Sequence, residues 1–190
     1  MAVLEKKLIV KDSVNMNNEA YKWFPVYTNP RAEKKAFDIL QAKGIETYLP
    51  LQKRLKQWSD RKKWVHEPLI SSYLFVRINK HMLQEVLSTQ GVCRFIYFSG
   101  KMACVSEREI ENLRLLLASE NELELTERKF NKGEKVLVNA GPLMGLRGEL
   151  VDHLSQKKLL VRLGDTGKSL LVQIPPVFLE LEVKIGMTVD

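Results

Sequence analysis

The sequence predicts an α+β domain, an antiparallel sheet with flanking helices, over residues 20–118. A linker at 119–130 then leads to a small all-β barrel at 131–190. Two observations predict this. In the first segment, extended apolar runs alternate with helices carrying apolar stripes at helical spacing, in the order β-α-β-β-β-α-β-α. Beyond residue 130 no helical period survives, and four short β runs at 135–138, 148–152, 158–163 and 169–174 are separated by turn residues. Residues 1–19 are polar and read as a loosely ordered tail.

The elements follow in order. Residues 22–27, KWFPVY, are aromatic and β-branched and read as a buried strand, with Pro25 placing it at an edge or a bulge. Asn29 is the expected N-cap and Pro30 the first position of a helix whose buried stripe is Ala32, Ala36, Phe37 and Leu40. Lys34, Lys35, Asp38 and Gln41 lie on its outer side, and Lys43-Gly44 ends it. Extended segments at 47–58 and 63–68 flank the polar turn Ser59-Asp60-Arg61-Lys62, giving a hairpin with a basic tip. Residues 69–78 read as one strong strand, about 81–87 as a short helix, and 92–97 and 103–105 as strands. Ser106-x-x-Glu109 is a capping box opening a helix with Ile110, Leu113, Leu116 and Leu117 on one face.

Charge is concentrated. The chain carries 30 Lys and Arg against 23 Asp and Glu, net +7, and residues 31–63 alone carry +6. The barrel segment is only +1. Focused positive charge attracts phosphate, although charge alone does not separate that from a solvated Lys-rich face. No apolar run approaches the ~18–20 residues that span a bilayer, and the first 20 residues have no signal-peptide core. Cys93 and Cys104 make no disulfide framework and read as core residues in apolar strands, so a cytoplasmic setting is expected. Gly164-Asp165-Thr166-Gly167-Lys168-Ser169 ends like a P-loop. Arg162 stands where its first glycine belongs, however, and a strand follows instead of a helix, so the segment is a hairpin turn. No catalytic constellation, metal-ligand spacing or cofactor motif stands out, so neither an enzyme nor a cofactor is expected.

Two motifs carry more. In residues 68–76, alternation puts Tyr73, Phe75 and Arg77 on one face and Leu74, Val76 and Ile78 on the other. Both faces are apolar, which fits either a strand buried on both sides or an aromatic patch that docks a partner. In the barrel, Gly133-x-x-Val136-x-Val138 leads into Gly141-Pro142-Leu143-Met144-Gly145-x-x-Gly148, a tight loop between strands.

With these motifs in this order, the chain resembles the NusG family of transcription elongation factors over about residues 20–185. The first segment is similar to the family's N-terminal domain and the second to its KOW module. The resemblance implies a non-enzymatic regulator of elongation whose sheet accepts the clamp helices of RNA polymerase at Tyr27, Leu69, Ile70, Tyr73 and Phe75. It implies contacts to DNA near the transcription bubble from Arg31, Lys34, Lys35, Lys53, Arg54, Arg61, Lys62 and Lys63. In the KOW module it implies partner binding at Pro142, Leu143 and Met144, with ribosomal protein S10 or termination factor Rho as the family's partners. Ile70-Ser71-Ser72 stands where the family often has Phe-Pro-Gly, and Leu143 where it commonly has Phe. The string Glu67-Pro68-Leu69 with Tyr73-Leu74-Phe75-Val76 resembles specialised RfaH-type factors and the regulators of capsular polysaccharide operons. The alternatives are a housekeeping NusG-type elongation factor and a KOW-containing ribosome- or RNA-binding protein. The low charge of the barrel segment opposes the second.

Overall fold

The computed structural model describes residues 20–58, 61–119, 121, 123–127, 133–154 and 156–182. The expected tail at 1–19 and the hairpin turn residues 59–60 lie outside them. The N-terminal unit is built on strands β1 (Lys22–Thr28), β2 (Glu46–Tyr48), β5 (Tyr73–Ile78) and β6 (Val92–Phe95), in the sheet order β2-β5-β1-β6, all antiparallel. Strands β3 (Leu51–Gln57) and β4 (Lys62–Pro68) form a separate two-stranded ribbon, and β7 (Tyr97–Phe98) and β8 (Lys101–Met102) a short hairpin. Helices α1 (Glu33–Ala42) and α2 (Leu83–Leu87) cover one face of the sheet. There Phe24, Val26, Ala36, Leu40, Leu74, Val76, Val86 and Phe95 form one buried cluster.

Several local expectations are corrected. Pro25 lies in the inner strand β1, not at an edge. Its carbonyl accepts the Ile96 amide at 3.2 Å, so its hydrogen-less nitrogen faces the same side, and the Ile96 carbonyl that a donor there would meet accepts the Ala103 amide at 2.8 Å instead. Helix α1 starts at Glu33, because Arg31 takes a left-handed φ of 64° and breaks the path from Asn29. Asn29 does not cap; its Oδ1 accepts the Cys93 thiol. Residues 69–72 are a turn rather than strand, with Ser72 at φ 61°. The buried Glu33 holds that turn by accepting the Ser72 amide at 2.7 Å. Cys93 and Cys104 are both exposed, Cys93 because β6 is an edge strand whose inner residue is Phe95.

Helix α3 (Glu107–Ala118) begins as the capping box requires, with the Ser106 side chain and the Glu109 amide paired and the Glu109 carboxylate returning to the Ser106 amide. The C-terminal unit is all antiparallel: β10 (Glu134–Val138), β11 (Arg147–His153), β12 (Gln156–Arg162), β13 (Ser169–Val172), β9 (Leu123–Thr126) and β14 (Leu179–Leu181), in the order β14-β10-β11-β12-β13-β9. Strand β9 lies inside the expected linker. Leu123 and Leu125 alternate with Glu124, a strand period, and pair with Val172 and Leu170. Glu124 is then held by Lys158 at 2.8 Å and His153 at 3.0 Å.

On this unit's outer side Glu149 meets the Arg162 guanidinium through two bonds, 3.0 and 2.9 Å. These hold the Glu149 carboxyl below the usual carboxylate range, against burial, with the Gly133 amide assisting. A lowered folded-state pKa contributes stability above the ordinary carboxylate value of about 4.3, and that contribution is lost as pH falls through the folded value. Glu149→Gln is therefore expected to lower stability at neutral pH and to flatten its loss below about pH 4.3, the ordinary value for Glu. Denaturant midpoints of both proteins from pH 7 downward check it.

Candidate functional site: an apolar sheet face under a β cover

The second face of the N-terminal sheet carries Trp23 and Phe75, and α3 lays Ile110, Leu113 and Leu116 beside them. Leu69 and Ile70 join from the turn before β5. These residues form one continuous buried cluster with Val136, Val138, Leu143, Leu146, Leu159, Val161, Leu163, Leu170, Val172 and Ile174 of the C-terminal unit. The alternation in β10, β12 and β13 explains the contribution: Val136, Leu159, Val161, Leu170 and Val172 lie on one face of that sheet by register. The strand that is apolar on both faces is thus buried on both faces, by helices on one side and by α3 and the β cover on the other.

The five residues expected at the docking site converge. Tyr27 and Tyr73 meet edge to face at 5.7 Å, and Phe75 stacks on Tyr48 at 6.4 Å. Phe75 is fully buried, Leu69 and Ile70 are buried, and Tyr27 and Tyr73 are half-buried at the rim. Cations edge the same aromatic set: Arg94 over Tyr27, Arg114 over Tyr48 and Trp23, and Lys168 of the C-terminal unit over Tyr73 at 5.2 Å. Burial pushes the Tyr48 hydroxyl up to about 12, against the nearby Arg114. Sequence reading missed Trp23 and Tyr48. Nothing in their own segments marked that face, and only β pairing places Tyr48 opposite Phe75.

Among the described residues, polar bonds tie the cover at two places. The Gly164 amide donates to Glu109 Oε1 at 3.0 Å and the next amide, that of Asp165, to the Cys104 carbonyl at 3.4 Å, while Asn112 Nδ2 donates to the Arg147 carbonyl at 3.2 Å. Gly164 also runs so close to the N-terminal unit that a Cβ there would lie 2.3 Å from the Cys104 carbonyl oxygen. In the loop expected to bind a KOW partner, Pro142 and Met144 are exposed, while Leu143 is buried in the shared cluster.

The eight basic residues expected to meet nucleic acid are all exposed. Lys53, Arg54, Lys62 and Lys63 lie on the β3–β4 ribbon and Arg61 at its turn, with Arg31, Lys34 and Lys35 at the start of α1. Lys34 Nζ donates to the His66 carbonyl at 2.8 Å, which ties the helix to the ribbon. Among the described residues no group of His, Cys, Asp and Glu could hold a metal ion.

The chain thus joins a helix-flanked antiparallel sheet with an apolar face to an all-antiparallel β unit. Residues 21–114 match the family model described as transcription termination factor NusG. Among solved structures, one titled for domain interaction in Thermotoga maritima NusG is 24% identical, with 85% of this chain and 97% of that chain covered and a TM-score of 0.46. The MjSpt4:Spt5 complex in conformation A is 16% identical, with 85% and 99% covered and a TM-score of 0.28. No curated protein matches.

Each polar bond across the junction is worth about 1 kcal/mol, roughly fivefold in an equilibrium. Asn112→Ala is expected to speed hydrogen exchange at the Gly164 amide about fivefold, with the cluster under α1 and α2 unchanged. Residue-resolved exchange on wild type and variant checks it.

Proposed function

We propose that the chain is a NusG-type regulator of transcript elongation that docks on RNA polymerase through the apolar face holding Tyr27, Leu69, Ile70, Tyr73 and Phe75. The observation that carries this is the convergence of those five residues on one sheet face whose cover belongs to a separate β unit with few polar ties. The clamp helices fit the requirement, since an apolar helix pair can replace one apolar cover with another. Holding the clamp closed over nucleic acid favours the active state over the paused one. Factors of this family are not enzymes, and the function is one of binding and population shift.

The cover sets the terms of docking. Phe75 and Ile70 cannot meet a partner while the β unit is seated, so the apparent affinity is the intrinsic one reduced by the fraction of open molecules. Release of the cover also frees Leu143 beside Pro142 and Met144 for a second partner, of which ribosomal protein S10 and Rho are the family's examples. A factor kept closed until recruited suits action at particular transcription units. With the RfaH-like string at 67–76, this supports service on long operons such as those for surface polysaccharide. Among the described residues no helix is long and apolar enough to cross a membrane, in keeping with a cytoplasmic factor.

Two measurements test the reading. Gly164→Ala forces a Cβ against the Cys104 carbonyl and loosens the cover, so the full-length variant is expected to bind core polymerase about tenfold more tightly, as its open fraction rises. In that background Tyr73→Ala is expected to weaken binding about tenfold or more, as for a rim aromatic anchor. Equal binding with and without Tyr73 would sink the docking assignment.

The basic cluster is the second contact, with DNA beside the bubble as its partner. Replacing Arg61, Lys62 and Lys63 with Gln is expected to reduce the slope of log affinity against log salt by up to about 0.9 for each phosphate that these side chains neutralise. Titrations on the full elongation complex across a salt series measure it, and an unchanged slope would leave these cations a solvated face.

A further inference from the structure

Among the described residues the β3–β4 ribbon is hydrogen-bonded to no other sheet. From Lys53 outward nearly all its described residues are exposed, with only Val65 partly covered. An isolated two-stranded ribbon gains little from burial. Yet it displays Leu55, Trp58 and Trp64 at 49%, 56% and 56% exposure. Its described residues, 51–58 and 61–68, carry six Lys and Arg and a single acid, Glu67, which pairs with Lys56.

The register distributes these groups. Leu55 lies opposite Trp64, Lys53 opposite His66 and Gln57 opposite Lys62, so one face holds Trp64 with Lys53 and Lys62. Lys53 Nζ sits 4.9 Å from the centre of the Trp64 ring. Alternation sends Arg54, Lys56 and Lys63 to the other face. Trp58, whose amide donates to the Arg61 carbonyl at 2.8 Å, continues that face. Each face therefore presents one indole among cations.

We propose that this ribbon binds an unpaired DNA strand, with Trp58 and Trp64 stacking on bases while the flanking Lys and Arg side chains meet phosphates. Phosphate contact alone has no use for two solvent-facing indoles. Stacking does, and every base has a face to offer. A paired base shows only its edges in the grooves, so the indoles select against duplex. Charge on both faces also argues against a membrane surface, which needs one apolar side. The assignment of DNA rests on the docking reading above: Pro68 of the ribbon runs straight into Leu69 and Ile70, and the Leu69 amide donates to the Pro50 carbonyl at 2.8 Å. The ribbon is thereby rooted at the docking face, next to the bubble when polymerase is bound.

Tryptophan fluorescence reads this directly in the full chain, because the third tryptophan, Trp23, is buried at 1% exposure. Titration with a twelve-nucleotide oligo-dT is expected to quench the signal, with affinity about tenfold above that for a mixed-sequence duplex of the same length. Trp58→Leu and Trp64→Leu keep apolar bulk, in the second case against Leu55, but remove the stacking surface. Each is expected to weaken oligo-dT binding about tenfold, while Trp64→Tyr retains most of it. Unchanged affinity in both Leu variants, or equal affinity for duplex, would overturn stacking. Tighter binding of oligo-U than of oligo-dT would overturn the choice of DNA. Binding to core polymerase without nucleic acid is measured separately and is expected to be unaffected by the Leu variants. A failure of docking at Tyr73 is thus told apart from a failure of stacking.

Discussion

Strand β5 is the constraint on which the rest of the molecule depends. With Leu74, Val76 and Ile78 on one side and Phe75 on the other, all essentially inaccessible to solvent, it needs an apolar partner on each face. At roughly 1.5–3 kcal/mol for fully burying each large side chain, neither face could be left to water. Helices α1 and α2 meet the first need locally in sequence. The second is met only in part by α3, and the remainder is filled by strands more than fifty residues further on.

This division separates two kinds of interaction in the closed molecule. The cluster beneath α1 and α2 belongs to the N-terminal unit alone and makes it a domain. The cluster on the other face joins both units, with polar groups adding direction more than strength. Neither Asn112 nor Glu109 leaves a buried charge behind if the units part, so separation costs mainly apolar exposure. An interface of that kind can be exchanged for another apolar surface with little net penalty, which is what the proposed docking requires.

Much of this was legible in the residues. The capping box at Ser106 and Glu109, the turn at 164–169 and the four strands of the C-terminal unit follow from local chemistry, and the structure places them accordingly. The two-sided character of residues 73–78 was legible too, but not what covers it, since the cover depends on contacts between segments far apart in the chain. Local exceptions account for the remaining differences. Arg31 and Ser72 adopt left-handed backbone that no residue type announces. Ser72 keeps its conformation because the buried Glu33 carboxylate, 39 positions away, accepts its amide. Strand β9 was hidden by its charge: Glu124 and Glu127 look like linker residues until Lys158 and Lys168 are found facing them. Exposed tryptophans on the ribbon could not be told from core tryptophans by type. Only the absence of a neighbouring strand reveals them.

Glu109 divides its two oxygens. Oε2 closes the start of α3 onto Ser106, and Oε1 receives Gly164 from the cover. The side chain is therefore already fixed in its rotamer by the helix before the cover arrives, and little conformational freedom remains to be surrendered when the junction bond forms. When the bond breaks, the helix start stays whole and the vacated oxygen is simply hydrated. On the docking proposal above, a catch built this way re-forms without refolding anything, and closure runs at the speed of domain motion rather than of folding.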